Sequence, residues 1–390
     1  MKRYMIFILI CLSGTMLSAQ ASPALEFPLP QYMNPFYDGY SRNRLDALST
    51  GKGGTGIAQT GGVEHALINP AGFMPENSMI YLEMCIKPPI SEIDRTQNQT
   101  YAVQVPFGLA AVGGKLLEDL YGGFSYSMPK SLIYYDFNIV MNQGAYLLQR
   151  NPTYMLHQLT GTLSYQTDRF GMGVNVHNRF HYLDDVTFRN TFDRLRETNY
   201  ALSPELGIIY KGDQIGLGAT FTPELKAEYD LRYRNYESVH PMKASGGISL
   251  SYGRRIFNAE AEWEQCSAMD DHYDDRLTLK GGYEIRIRKY TYRFGLLSTN
   301  SVFSGDYLLP VNTTANADTS IVWDQVPLGG TIKPNDQLFA TFGFSFHHKD
   351  GIISAALMQE MLGKMPVTQI NLSLGLNFSA FRKQGFLYFD

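Results

Sequence analysis

The chain has little cysteine, little tryptophan and almost no long apolar runs, and these scarcities exclude whole classes of protein. Three cysteines and two tryptophans occur in 390 residues. Cys11 lies in the apolar N-terminal stretch, so only Cys85 and Cys266 remain for the folded chain, and a disulfide scaffold is excluded. These two cysteines either pair or stay as free strand thiols. Beyond the N-terminus, no stretch approaches the ~20 continuous apolar residues of a membrane helix, which excludes a helical membrane protein.

Basic charge is also scarce. Lys and Arg number 33 against 37 Asp and Glu, which gives a formal net charge of −4. A nucleic-acid-binding protein usually presents a basic face, so this composition argues against a nucleic-acid partner. No Ser/His/Asp, HExxH or paired-carboxylate pattern is specific enough to predict an enzyme. The sequence likewise predicts no cofactor and no metal site.

The N-terminus has the pattern of a secretory signal peptide. Met1-Lys2-Arg3 is basic, the following stretch is nearly all apolar, and Ala19-Gln20-Ala21 offers small residues at the positions that a signal peptidase reads. Residues 1–21 are therefore predicted to be a signal peptide. Residues 22–44 are rich in proline and aromatic side chains, and we expect an extended arm there because proline fixes φ and lacks an amide donor.

What the chain has in abundance is alternation of apolar and polar residues, with 26 Tyr, 23 Phe and 36 Gly. In Phe170–Tyr182, one face carries Phe170, Met172 and Val174, and the other carries glycine, asparagine, histidine and arginine. Such alternation predicts a strand with one apolar and one wet side. About fourteen such strands are predicted, most of them near the ~9–11 residues that cross a bilayer at a tilt. They are Ser78–Lys87, Thr100–Gly113, Leu120–Met128, Leu156–Gln166, Phe170–Tyr182, Tyr200–Lys211, Gln214–Tyr229, Met242–Gly253, Arg255–Ser267, Arg276–Arg288, Tyr290–Ser301, Asp336–His348, Ile352–Leu362 and Val367–Ala380.

The connections between these strands alternate in length. Tight turns are predicted at 167–169, 212–213, 254, 289 and 349–351, and longer links lie between them at 183–199, 230–241, 268–275 and 302–335. A transmembrane barrel has short turns on one side of the membrane and longer loops on the other. A soluble β-sandwich has the same period but no reason for this regularity. The predicted fold class is therefore all-β, a transmembrane antiparallel β-barrel of about fourteen strands.

A glycine-rich stretch precedes the first strand. It runs Gly51-Lys52-Gly53-Gly54-Thr55-Gly56-Ile57-Ala58 and continues to Ala66-Leu67-Ile68-Asn69-Pro70-Ala71-Gly72-Phe73. A phosphate-binding loop is excluded, because no Lys-Ser/Thr pair follows the glycines and no strand-then-helix context surrounds them. Since a barrel of this size has room that its own side chains do not fill, the stretch is predicted to be a plug inside it.

These residues resemble the N-terminal signature of the FadL/TodX outer-membrane transporters of long-chain fatty acids and aromatic hydrocarbons. The run from Pro204-Glu205-Leu206-Gly207 to Pro223, and that from Gly246-Gly247-Ile248 to Trp263, are similar to the central hairpins of the same family. The resemblance implies a fourteen-stranded barrel closed by an N-terminal hatch. It also implies that a hydrophobic ligand is captured from outside and leaves sideways through a gap in the wall.

The resulting domain division is a signal peptide at 1–21, an arm and hatch at 22–77, a barrel at 78–380 and a C-terminal tail at 381–390. The hatch is predicted to depend on eight residues: Gly51, Gly53, Gly54, Gly56, Asn69, Pro70, Ala71 and Gly72. Proline removes a ladder donor, so the wall kink is predicted at Pro106 in the second strand, or at Gly122, Gly123 and Pro129 around the third. A proline that merely ends a strand is the alternative.

Two neighbouring strands carry charges on one face. Because a charge facing lipid costs ~2–4 kcal/mol at mid-bilayer, Glu260, Glu262, Glu264, Glu284 and Arg286 are predicted to form a charge ladder in the lumen. The alternative is that Lys280, or Arg293 on the following strand, holds a ligand carboxylate. No fatty-acid-binding residue of the family carries over onto a matching motif.

The function predicted from the sequence is passive uptake of hydrophobic compounds, such as long-chain fatty acids, across the bacterial outer membrane, with no chemistry on the substrate. The expected partners are outer-membrane lipid and a hydrophobic small molecule or fatty acid. The alternative is a PorV-like partner in protein secretion or surface attachment, for which the arm at 22–44 and the links at 130–154 and 302–335 would provide binding surfaces.

Overall fold

A computed structural model describes the chain at residues 38–93, 99–137, 149–150, 153–185, 195–231, 234–269, 273–302, 308–315, 321–327, 336–362 and 366–378. The predicted signal peptide at 1–21, the greater part of the arm at 22–44 and the tail at 381–390 lie outside these residues. Among the described residues, no helix has the length and apolarity to span a membrane.

The described chain is built almost entirely from β-strands. Its helices are two single turns, α1 (Asp38–Ser41) and α2 (Ala47–Thr50), and three 3₁₀ turns at Val63–Leu67, Pro70–Gly72 and Cys266–Ala268. The strands are β1 (Met79–Ile86), β2 (Ile90–Ile93), β3 (Gln99–Val103), β4 (Leu109–Lys115), β5 (Leu120–Phe137), β6 (Gln149–Arg150), β7 (Thr153–Gln166), β8 (Phe170–Asp185), β9 (Leu195–Lys211), β10 (Ile215–Thr222), β11 (Leu225–Leu231), β12 (Arg234–His240), β13 (Lys243–Tyr252), β14 (Arg255–Glu264), β15 (Arg276–Ile287), β16 (Tyr290–Thr299), β17 (Leu308–Ala315), β18 (Ile321–Pro327), β19 (Gln337–His348), β20 (Gly351–Glu360) and β21 (Thr368–Asn377).

Seventeen of the strands form one sheet. Three of them, β2, β3 and β6, are short segments, and the other fourteen close into an antiparallel barrel. Closure comes from the first and last strands, since β1 pairs with β21 from Met79↔Asn377 to Ile86↔Ile370. The predicted fold class is therefore confirmed. The hairpins β11–β12 and β17–β18 form two separate sheets; the second lies within the predicted link 302–335, whereas the first begins inside the predicted strand Gln214–Tyr229.

The strands turn apolar side chains outward and polar side chains inward. In β9, Leu202, Leu206 and Ile208 are about half exposed on the outer face, whereas Ser203 and Glu205 are buried on the inner face. The last strand repeats this with Ile370, Leu372 and Leu374 outside and Asn371 and Ser373 inside. This pattern is that of a barrel with a lipid-facing surface and a polar lumen.

Three predicted strands differ from the structure at a proline. The predicted strand Thr100–Gly113 is divided into β3 and β4 around Pro106. The third strand does not end at Met128; β5 continues to Phe137 through a bulge between Ser127 and Lys130, which accommodates Pro129 because a bulged residue needs no ladder donor. The predicted strand Gln214–Tyr229 is divided, because Pro223 separates β10 from β11. The two cysteines beyond the N-terminus, Cys85 and Cys266, are both buried and free, so the pairing alternative is wrong.

Candidate functional site

Residues 38–78, called here the lumen segment, lie against the inner face of the barrel. Its α2 turn contacts β19, β20 and β21, and its Pro70–Gly72 turn contacts β7, β8 and β9. Because these strands lie on different sides of the barrel, the segment crosses the lumen. One apolar cluster on this path joins Val63 and Phe73 of the segment to Tyr81 and Leu109 of the wall.

The predicted Asn69-Pro70 turn holds the lumen segment to itself and to the wall. Asn69 caps the Pro70–Gly72 turn by accepting a hydrogen bond from Ala71 N at 2.9 Å. Its side-chain amide donates to Ile57 O at 2.7 Å and to Ile208 O on β9 at 3.1 Å. Asn69 is fully buried. Its side chain therefore links the Pro70–Gly72 turn to Ile57 of the lumen segment and to the wall strand β9.

The glycines of the lumen segment allow its backbone to touch the wall. Gly53 and Gly54 both have φ of +75°, in the left-handed region that favours glycine. A Cβ at Gly53 would lie 2.6 Å from Gly281 O and from Leu296 O. The fourth glycine of the stretch, Gly56, donates its amide to Glu260.

The wall carries glycines at the matching positions. A Cβ at Gly343 would lie 2.8 Å from Gly51 Cα, and one at Gly282 would lie 2.5 Å from Lys52 O. At Gly173 a Cβ would collide with Pro70 and would lie 2.5 Å from Ala71 N. The same holds for others on the inner face: Gly113, Gly123, Gly207, Gly216, Gly218 and Gly295. The wall is therefore recessed along the path of the lumen segment.

A buried carboxylate on the first strand anchors the α2 turn. Glu83 accepts hydrogen bonds from Asp46 N at 2.9 Å, from Ala47 N at 2.6 Å and from Asn371 Nδ2 at 2.9 Å. The Tyr81 hydroxyl lies 3.2 Å from both Glu83 and Asp46. Asp46 in turn caps the turn by accepting from Leu48 N and Ser49 N. This satisfies amides at the start of a helix that would otherwise be buried without partners.

Two carboxyl groups of the lumen segment and one of its lysines have shifted pKa values. Burial, followed by the charge of Glu64, raises the pKa of Asp46 above its ordinary value. Burial lowers the pKa of Lys52. Burial acts to raise the pKa of Glu64, but His65, whose Nδ1 lies 3.6 Å away, and hydrogen bonds from backbone amides together lower that pKa.

The structure places four members of the predicted charge ladder inside the lumen, each with a partner. Glu260 accepts from Gly56 N at 2.5 Å and Ile57 N at 2.7 Å. Glu262 pairs with Lys280 at 2.8 Å, and Glu284 pairs with Arg293 at 2.6 Å. Glu264 pairs with Arg42 at 2.9 Å and with Arg276 at 3.0 Å. The fifth, Arg286, is exposed and forms no ion pair within the described part of the chain.

These pairs show which cations of the lumen contact a carboxylate directly. Lys280 and Arg293, the two predicted ligand cations, each contact a glutamate. Arg179 instead donates to an uncharged partner, Gln158 Oε1, at 3.1 Å. Arg179 and Lys243 make no ion pair with a carboxylate among the residues that the structure describes.

The hydrogen-bonded wall is interrupted within the predicted second strand, Thr100–Gly113. β3 pairs with β5 from Thr100 to Val103, β4 pairs with β1 from Leu109 to Gly113, and residues 104–108 between them belong to no strand. Pro106 lies in this interruption and is exposed. Gly122 and Gly123 lie instead within the regular pairing of β5 with β4 and β7.

The lumen segment lies directly beside the interruption. Asn43 N donates to Pro129 O at 2.8 Å, and Arg42 forms an isolated antiparallel bridge with Lys130. From the other side, Lys87 and Gln104 donate to the carbonyl of Tyr40. The bulge that contains Pro129 thus turns a wall carbonyl inward, toward the lumen segment.

A cavity of about 270 Å³ lies between the lumen segment and the wall. Ile57, Leu67 and Ile68 of the lumen segment form an apolar side. The charged side chains that line it are Arg42, Arg44, Lys130, Arg179, Lys243 and Lys280, with Glu205, Glu262 and Glu264. The cavity is therefore amphipathic, and basic side chains outnumber acidic ones.

Comparison with known proteins identifies the architecture. No protein-family model matches the chain, and no curated protein matches its sequence. Among solved structures, the toluene transporter TodX of Pseudomonas putida superposes with a TM-score of 0.61 at 14% identity, over 86% of this chain and 97% of that one. The chain has the FadL/TodX fold. A Pseudomonas aeruginosa FadL homologue gives 0.57 at 14% identity, over 86% and 98%. The Ralstonia pickettii toluene transporter TbuX gives 0.59 at 14%, over 85% and 97%.

Within this FadL/TodX fold, sequence reasoning missed two groups of residues. It did not find the recessed wall glycines, although several of them, such as Gly173 and Gly207, stand at inward positions of a strand. It also missed Glu83, the one carboxylate in the alternating pattern of β1. An inward carboxylate on the first strand was a usable signal, because a buried charge needs a partner.

Proposed function

We propose that this chain is an outer-membrane channel for the passive uptake of hydrophobic compounds, with the lumen segment as its hatch. The observation that carries the proposal is the broken wall ladder at residues 104–108, beside which the lumen segment forms hydrogen bonds. A gap toward the lipid would not serve a polar solute, because the solute would have to enter hydrocarbon. It would let a hydrophobic solute pass into the membrane. The named solved structures of the same fold are two toluene transporters and a FadL homologue.

The test is uptake by cells whose outer membrane contains the chain. Labelled toluene and labelled oleate serve as a short and a long hydrophobic probe, and a small sugar serves as the polar control. We expect faster entry of at least one hydrophobic probe than in cells without the chain, and unchanged entry of the sugar. Equal rates with and without the chain for both hydrophobic probes would remove the proposal. Growth on long-chain fatty acids after deletion tests that substrate class in particular.

We further propose that solute leaves sideways through the interruption, past the contact between Arg42 and Lys130. Opposite residues of an antiparallel pair have Cβ atoms ~4.5–5.5 Å apart, within reach of a disulfide. We therefore expect Arg42→Cys/Lys130→Cys to cross-link on oxidation and to hold the lumen segment against β5. Uptake of the hydrophobic probe should fall about tenfold or more in the oxidised form and recover on reduction.

The matched control is Thr278→Cys/Thr299→Cys, a pair in the lumen wall whose hydroxyls lie 3.1 Å apart. Its disulfide joins two wall strands and leaves the lumen segment free, so uptake should not depend on its redox state. If the first cross-link forms and uptake is unchanged, the sideways route is wrong, although uptake through another route would stand. A role as a PorV-like secretion partner stays a prediction.

A further inference from the structure

Two buried carboxyl groups meet at one hydroxyl where the lumen segment is attached to the first strand. The Tyr81 hydroxyl lies 3.2 Å from Asp46 Oδ1 and 3.2 Å from Glu83 Oε2. We infer that Asp46, Tyr81 and Glu83, called here the proton triad, hold one proton besides that of the tyrosine hydroxyl, and that its loss loosens the lumen segment. The proton site stands apart from the proposed function, and only its effect on uptake rests on that function.

The count of hydrogens carries this inference. A tyrosine hydroxyl has one hydrogen to donate. If both carboxyl groups were ionised, the hydroxyl would donate to one of them and turn only lone pairs toward the other, at the same distance of 3.2 Å. If one carboxyl group is protonated, it donates to the tyrosine oxygen while the hydroxyl donates to the remaining carboxylate. Both contacts are then hydrogen bonds, so the geometry fits one additional proton.

The other hydrogen bonds of the two carboxyl groups come from uncharged donors. Glu83 accepts from two backbone amides and from Asn371, and Asp46 accepts from Leu48 N and Ser49 N. Neither carboxyl group forms an ion pair with any residue that the structure describes. Asp46 is fully buried and Glu83 is 3% exposed. Two carboxyl groups that share such a site do not both ionise readily, because their charges repel and neither is solvated.

Other titratable groups pack around the proton triad. They are Glu64 and His65 on the Val63–Leu67 turn, Lys52 on the glycine-rich stretch, and Cys85 and Lys87 farther along the first strand. Burial and then the charge of Glu64 raise the pKa of Asp46, whereas His65 acts in the opposite direction. Histidine is the side chain that ordinarily changes its charge between pH 5 and 8. His65 is therefore the competing source of any pH dependence here.

The shared proton makes the hold on the lumen segment depend on pH. Opening of the α2 turn exposes the carboxyl groups to water, where a carboxyl group has a pKa of about 4. Between that pH and the pH at which the closed proton triad loses its proton, each opening releases one proton, so the opening equilibrium rises about tenfold per pH unit. Above that range it no longer changes. The lumen segment is thus held most firmly in acid and most loosely in alkaline solution.

Amide exchange of residues 46–50 measures this opening on the full chain in lipid nanodiscs. The protection factor is the exchange rate of an unstructured peptide divided by the measured rate at the same pH. We expect this factor to fall about tenfold per pH unit from pH 5 upward until it levels off. Residues 160–164 of β7, which lie in the paired wall, are the internal control and should not show this slope.

Variants assign the slope to the proton triad. Glu83→Gln and Asp46→Asn each replace one carboxyl group by a neutral amide of the same size, and asparagine remains a good helix cap. Each should abolish the slope and remove the infrared C=O stretching band of a protonated carboxyl group. His65→Gln should keep both. Constant protection from pH 5 to pH 8 in the unaltered chain, a slope that survives in both amide variants, or one that disappears in His65→Gln would overturn the inference.

These outcomes are separable from failure of the proposed function, because the exchange measurement contains no solute. If the slope is found and no hydrophobic probe enters cells, the proton site stands and the proposed function fails. If uptake is found without the slope, the channel stands and the proton site does not. Where both hold, uptake should increase from pH 5 to pH 8 in the unaltered chain and stay constant in Glu83→Gln.

Discussion

Replacing Gly173 by leucine should open the barrel to ions. The new side chain would occupy the space of Pro70 and of Ala71 N, which lies 2.5 Å from the position of a Cβ. Overpacking of a well-packed interior costs ~1–3 kcal/mol, and a collision with backbone leaves little room to relax. Because Pro70 and Ala71 belong to the turn that Asn69 ties to β9, we expect the lumen segment to leave its place. The measurement is conductance of single barrels in a planar bilayer, which should rise about tenfold or more.

The matched control is Gly281→Leu. A Cβ at Gly281 would meet nothing within 4 Å, so the same side chain should fit there without displacing the lumen segment. Protection of residues 51–73 from an added protease is a second, independent measurement. This protection should be lost only in Gly173→Leu. Conductance and protection that are the same for both variants would mean that the recessed wall does not hold the lumen segment.

The second large effect is expected from Glu83→Ala. The substitution removes the acceptor of two buried backbone amides, those of Asp46 and Ala47, and of the Asn371 side chain. A buried donor left without a partner costs ~1–3 kcal/mol, so the α2 turn should lose several kcal/mol of anchoring. Amide exchange of residues 46–50 should then become about 10²–10³ times faster, since local opening sets the exchange rate.

Two further variants test whether the faster amide exchange depends on the acceptor at Glu83. Glu83→Gln keeps one carbonyl acceptor of the same size and should restore part of the protection. Glu224→Ala removes an exposed glutamate beside a wall strand and should change nothing at residues 46–50. If Glu83→Ala and Glu224→Ala exchange alike in this region, Glu83 does not anchor the segment.

The strands were predictable because their signal is local. Period-two alternation in β8 and β9 and short turns such as 167–169 are properties of neighbouring residues, so the number of strands and the closed barrel followed from them. The prediction from neighbouring residues was wrong at Pro129. Because proline lacks a ladder donor, the third strand was expected to end there. The donor is not needed there because a bulge removes the residue from the pairing.

The candidate site was less predictable because its contacts are distant in sequence. The glycines of the 51–56 stretch were found, but their partners, such as Gly282 and Gly343, lie more than two hundred residues away. A lone glycine in a strand has several meanings, and only the fold shows that these face a backbone. In the same way, alternation placed Lys280 and Arg293 in the lumen, but it could not show that Glu262 and Glu284 neutralise them.

The lumen segment bonds to both strands that close the barrel. Glu83 of β1 holds the amides of Asp46 and Ala47, and Asn371 of β21 donates both to Glu83 and to the carbonyl of Arg44. These bonds exist together only when the first and last strands lie side by side. During assembly, therefore, the seam between β1 and β21 and the contacts of the lumen segment should form in one cooperative step. In an unfinished barrel the lumen segment would then be held only loosely, so its tight binding marks a closed barrel.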